Sequence, residues 1–229
     1  MQYLTMSEPY QPKRLRYYRH LPHWQAPDGT YAVTFRLDGS LPKDVVIRLK
    51  EERDFAKKEL LSKGLSEEDT QIELSKMRQF YFGKFDDLLE NNHTGPSFLK
   101  EPAAAQIVAD AILHFDEKRY QVINFTIMSN HVHLTFCQLT KEIGEILGSI
   151  KKYTARRINA LHNRPNRQVW LYDSYDHLVR NQYELAFYHT YTLENSVKAN
   201  IVSRWEDYPF TYARPDFEAF YQPQLLRFE

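Results

Sequence analysis

The chain has 229 residues, 42% hydrophobic and 14% aromatic, a composition that builds a folded core and excludes a disordered or low-complexity polypeptide. Its 30 Lys and Arg balance 30 Asp and Glu, so the net charge gives no general attraction to nucleic acid and any phosphate-binding surface has to be local. A single cysteine, Cys137, excludes an intramolecular disulfide and fits a reducing cytoplasm, and with no basic-then-apolar start and no long uncharged apolar run, neither secretion nor membrane spanning is expected.

In chain order, residues 1–20 are polar and end in Lys13-Arg14-Leu15-Arg16-Tyr17-Tyr18-Arg19. This reads as a basic aromatic arm that orders on a partner, or as a solvated tail. A Pro27-Asp28-Gly29 turn introduces a first strand, Tyr31 to Leu37. Residues 43–92 change to good helix formers with interleaved charge, and Lys63-Gly64-Leu65-Ser66 breaks them in two with Ser66 as N-cap. The expectation is a helical hairpin inserted after the first strand. Pro102 opens a further helix whose apolar residues, Ile107, Val108, Ala111, Ile112 and Phe115, recur at three and four.

Two strands follow, Tyr120 to Ile127 and one beginning at or near His131, joined by a Ser129-Asn130 turn. Lys141 to His162 is an amphipathic helix, Gln168 to Tyr172 and Tyr175 to Arg180 are short extended pieces, and a last helix runs from about Gln182 to Asn195. The order predicts one domain over residues 1–229 of the α+β class. Its plan is ferredoxin-like: an antiparallel sheet with helices on one face, plus the inserted hairpin.

The segment Met128-Ser129-Asn130-His131-Val132-His133-Leu134 carries the first chemistry. Side chains two apart on a strand share a face, so His131 and His133 project together while Val132 turns away. Two imidazoles so placed can share one divalent cation; the plainer alternative is a satisfied core histidine beside a chance neighbour. A second feature is the stretch from Lys151 to Trp170, where Lys151, Lys152, Arg156, Arg157, Arg164 and Arg167 occur without a carboxylate. Lys151, Lys152, Arg156 and Arg157 are candidates for DNA-backbone contacts, with Tyr153, Tyr17 or Tyr18 for base stacking. Such a basic face is also commonly just solvated. In the last helix Tyr191 and Asn195 stand four apart and share a face. A tyrosine oxygen can hold a covalent intermediate and an Asn carbonyl can complete a cation site, although a helical tyrosine is more often core.

The His131 segment resembles the Met-Pro-Asn-His-Val-His-Leu signature of the REP-associated tyrosine transposases, in the HUH single-tyrosine endonuclease superfamily. Tyr191-Thr192-Leu193-Glu194-Asn195-Ser196-Val197-Lys198-Ala199 resembles that family's Tyr-Ile-x-x-Asn-Pro-Val-Lys-Ala. Leu21 to Trp24, Lys152 to Asn159, Trp170 to Asn181 and Trp205 to Pro209 follow the family order, and Ser129, Ser196 and Asn200 depart from its usual Pro, Pro and Gly. The resemblance implies Tyr191 as nucleophile and His131, His133 and Asn195 as ligands of Mg²⁺ or Mn²⁺. It also implies cleavage and rejoining of single-stranded DNA beside hairpin palindromic repeats through a 5′-phosphotyrosine, by a monomer or homodimer acting in the cytoplasm. Alternatives are a related replication or mobilisation nickase, a catalytically quiet DNA-binding protein derived from a transposase, and a His-x-His metal hydrolase. His177 and Arg180 fall near this site or in a structural ion pair.

Overall fold

A computed structural model describes residues 16–18, 22–24, 29–92 and 94–226. The side chains of the basic arm, Tyr17 and Tyr18 included, and the turn residues Pro27 and Asp28 lie outside the described residues. The chain divides into two compact units, residues 39–97 and the remainder.

In the larger unit, two short strands, β1 (Arg16–Tyr18) and β2 (Pro22–Trp24), pair with each other. The main sheet is formed by β3 (Thr30–Arg36), β4 (Gln121–Ile127), β5 (His131–Cys137), β6 (Tyr175–Val179) and β7 (Thr211–Ala213). These run in the order β6-β3-β5-β4-β7, every neighbouring pair antiparallel. Without the edge strand β7 this is the strand order of a ferredoxin-like sheet, and the expected α+β class holds.

The strands alternate outside one bulge in β4, and the two faces of the sheet differ in kind. Val33, Phe35, Phe125, Ile127, Val132, Leu134 and Phe136 belong to one apolar core with Val108 and Ile112 of α3 (Pro102–His114) and Ile146, Ile150 and Ile158 of α4 (Ile143–Leu161). A bulge between Val122 and Asn124 lets Val122 and Phe125 both face that core. The opposite face is polar. Thr34, His133 and Thr126 stand in one row across β3, β5 and β4, and Arg36 lies in register with His131.

That polar face is covered by α5 (Gln182–Lys198), the element that the one-face expectation did not separate from α3 and α4. Thr126 Oγ1 donates to Thr192 O at 2.7 Å, and Asn124 Nδ2 donates to His189 O at 2.9 Å. On its other side α5 meets the C-terminal turns, where Gln222 N donates to Thr190 Oγ1 at 2.8 Å. A helix enclosed on all sides needs no amphipathic stripe, and Phe187, Tyr188, His189, Thr190, Tyr191 and Leu193 are all buried.

The smaller unit is a helical hairpin of α1 (Lys43–Ser62) and α2 (Glu67–Glu90). Gly64, at φ +65°, takes the left-handed conformation that turns the chain after α1. Ser66 caps α2 by accepting from Asp69 N at 3.1 Å, and Lys84 of α2 pairs with Glu52 of α1 at 2.6 Å. No helix among the described residues is long and apolar enough to cross a membrane.

Candidate active site

His131 and His133 open β5 on the polar face, both buried, with their Nε2 atoms 3.1 Å apart. Each ring is held at its other nitrogen. His131 Nδ1 donates to Asn130 Oδ1 at 2.7 Å, and His133 Nδ1 is hydrogen-bonded to Thr34 Oγ1 at 2.9 Å. An amide oxygen only accepts, so His131 carries its proton on Nδ1 and, when neutral, offers a lone pair at Nε2. If His133 donates to Thr34, two lone pairs face each other, an arrangement that a shared cation relieves. The 3.1 Å separation suits two adjacent ligands each about 2.0–2.1 Å from one ion. With both rings oriented by outer hydrogen bonds, the pair fits a divalent metal.

Tyr191 reaches this pair from α5. Its ring meets that of His133 edge-on, with centroids 6.0 Å apart and planes at 75°. Its hydroxyl accepts a hydrogen bond from Lys198 Nζ at 3.1 Å. Asn195 is buried one turn beyond Tyr191 on the same face. The two segments singled out in the sequence therefore meet, although 58 residues separate His133 from Tyr191.

Two departures from the family pattern shape the end of this helix. Ser196 retains the backbone N–H that proline lacks, and α5 continues to Lys198. Asn200, at φ +55°, adopts the left-handed conformation that asparagine tolerates. Ile201 N then bonds Ser196 O at 3.0 Å and closes the helix in a Schellman turn.

The basic residues of α4 are not part of this cluster. They project from the helix covering the apolar face of the sheet, the layer opposite α5. Lys152, Tyr153, Arg156 and Arg157 are exposed. Lys151 instead donates to the carbonyls of Leu171, Tyr172 and Asp173 at 3.0, 3.1 and 3.2 Å, tying α4 to the loop before β6. His177 and Arg180 resolve as structural partners of a buried carboxylate. Glu184 Oε2 lies 3.0 Å from His177 Nε2, accepts from Arg180 N at 3.0 Å, and sits 3.6 Å from Arg180 Nη1. With Asn181 capping Glu184 N at 2.8 Å, this cluster fixes the first turn of α5 against β6.

Thr34, Arg36, Asn130, Glu184 and Lys198 take part in these clusters without having been candidates in the sequence. Lys198 follows Tyr191 by seven residues, two helical turns, and so was readable as its neighbour on one face. Asn130 adjoins His131 in the chain. Thr34 and Arg36 join the site only through the pairing register of β3 with β5. Burial lowers the pKa of the Arg36 guanidinium and Asp38 opposes that shift, yet arginine stays cationic.

Residues 102–195 match the family model described as transposase IS200 like; the range spans both histidines and ends on Asn195. Among solved structures, the chain is similar to a REP-associated tyrosine transposase determined bound to a REP hairpin. The identity is 15% and the TM-score 0.52, over 90% of this chain and 88% of that one. No curated protein matches the chain. Over residues 102–195 the chain is thus similar to the IS200-like transposases, and its fold is similar to that of the REP-associated tyrosine transposase.

Proposed function

We propose that the protein is a metal-dependent single-stranded DNA endonuclease and strand transferase, a transposase acting through a 5′-phosphotyrosine at hairpin-flanked sites. The observation that carries this reading is the meeting of Tyr191 with His133, inside a stretch that matches a transposase family. A buried tyrosine alone would be core; one set against two preoriented imidazoles has a chemical use.

In this reading Tyr191 oxygen attacks the scissile phosphorus, the bond to the 3′ oxygen breaks, and the 5′ phosphate stays on the tyrosine. Because the phosphotyrosine conserves the bond, a 3′-hydroxyl can attack it and rejoin strands. His131, His133 and Asn195 would hold Mg²⁺ or Mn²⁺, which when bound polarises the phosphate and offsets charge in the transition state. Thr34 and Asn130 keep the imidazoles turned toward that ion, and Arg36 adds a positive charge on the same face.

The substrate is DNA, as a single strand next to an imperfect palindrome folded into a hairpin. The similar structure holding a REP hairpin supports that choice. Lys152, Arg156 and Arg157, with Tyr153 beside them, lie on the opposite layer from the histidines. They suit backbone contacts to a hairpin stem more than a grip on the scissile phosphate. The reaction takes place in the cytoplasm, where such DNA is accessible.

End-labelling tests the polarity. With an oligonucleotide labelled on the 3′ side of the cut, the label should migrate with the protein under denaturing conditions. Label placed on the 5′ side should leave as a shorter strand ending in a 3′-hydroxyl. The reverse distribution, or hairpin binding without cleavage, contradicts the proposal; the latter outcome favours the DNA-binding protein without catalysis.

A further inference from the structure

Lys198 lies in the segment that begins at Tyr191 and has no role so far, yet its ammonium is placed on the atom that the proposed reaction uses. Nζ lies 3.1 Å from Tyr191 Oη and 5.1 Å from the centre of its ring. Lys198 is exposed at the last turn of α5 whereas Tyr191 is buried, so the contact holds the hydroxyl toward the open end of the helix. The continuation of α5 through Ser196 sets this spacing, and the Schellman turn at Asn200 ends the helix just beyond it.

We infer that Lys198 is a catalytic residue of this site, its ammonium holding Tyr191 Oη and stabilising negative charge on that oxygen both as it attacks and as it departs. The inference rests on the endonuclease reading and deepens it. On cleavage the phenolic proton passes to solvent water, the O–P bond forms, the P–O3′ bond breaks, and water returns a proton to the departing 3′ oxygen. On rejoining, a 3′-hydroxyl gives its proton to water and forms the P–O3′ bond, while the phenolic oxygen leaves with the electron pair of the O–P bond and regains a proton from water. Lys198 keeps its proton throughout and acts as a fixed positive charge. A cation at this distance is effective in both directions because the tyrosine oxygen carries charge in both.

The test uses the full chain with Mn²⁺ and labelled hairpin oligonucleotides built from palindromic repeats of the source genome, measured as single-turnover adduct formation. Lys198→Gln should slow adduct formation by about five- to tenfold at neutral pH, with DNA affinity unchanged. Lys198→Arg should restore most of the rate. Incorporation of an electron-poor fluorotyrosine should shrink the deficit of Lys198→Gln, since a more stable phenolate needs the cation less. A Lys198→Gln variant as fast as wild type overturns the inference while the endonuclease reading stands. So does a variant that binds DNA more weakly but reacts at the normal rate, which would make Lys198 a backbone contact, or one whose deficit fluorotyrosine leaves unaltered. Absence of any wild-type adduct removes the endonuclease reading and this inference with it.

Discussion

Thr34 and His133 face each other across β3 and β5, 99 residues apart in the chain and 2.9 Å apart at Oγ1 and Nδ1. This hydrogen bond fixes which nitrogen of His133 turns toward His131. Thr34→Val keeps the shape and removes the partner, and it should weaken metal affinity by about tenfold or more. The check is a Mn²⁺ titration of adduct formation, in which the activation midpoint rises while the rate at saturating metal is nearly kept. An unchanged midpoint would deny Thr34 an orienting role.

Glu184 anchors the start of the tyrosine helix. Its carboxylate is 3% exposed and serves His177, Arg180 N and the Arg180 guanidinium together. Glu184→Ala leaves those groups without their acceptor and should cost about 3 kcal/mol, read as a shifted denaturant midpoint. A loss near zero would mean that the cluster does not hold α5 in place.

His189 makes the fold sensitive to acid. Burial lowers its pKa from 6.5 to about 4, so between these values the unfolded chain binds a proton that the folded chain refuses. The stability this group contributes is complete above pH 6.5, declines as the pH falls, and is lost in full by about pH 4, a total on the order of 3 kcal/mol. Denaturant titrations at pH 7.5 and 4.5 should show a smaller difference for His189→Gln than for wild type. Equal differences would remove His189 as the source.

Lys151 and Lys152 are adjacent in sequence and should behave oppositely. Lys151→Met removes three carbonyl contacts and should cost about 2 kcal/mol of stability. Replacing exposed Lys152, Arg156 or Arg157 with Ala should leave stability alone, weaken hairpin binding, and reduce the slope of log affinity against log salt by about 1 per contact. Unaltered salt dependence in all three would place the DNA elsewhere.

Much of this was legible in the sequence because the relevant signals are local. The alternation His-Val-His-Leu-Thr-Phe in β5 announces both the strand and the face its histidines share. Ser66, Pro102 and the break at Lys63-Gly64 mark helix ends through backbone chemistry that needs no tertiary context. What stayed hidden depends on register or enclosure. Thr34 reaches His133 only once β3 pairs with β5. The second layer was missed because α5 is buried all round and carries no amphipathic stripe to show which sheet face it covers. Nothing in the sequence around Glu184 signals its burial, which only its partners on β6 and in the following turn explain. The three-residue strand β7 is too short to show a period.

The proposed function stands on Tyr191 forming a covalent bond with DNA with the help of a metal held at His131 and His133. The most direct measurement incubates wild type and Tyr191→Phe with labelled hairpin oligonucleotides, with Mn²⁺ or with chelator, followed by denaturing electrophoresis. A denaturation-resistant adduct should form only for wild type and only with metal. An adduct that persists in Tyr191→Phe or in chelator, or hairpin binding with no adduct under any metal, would contradict it.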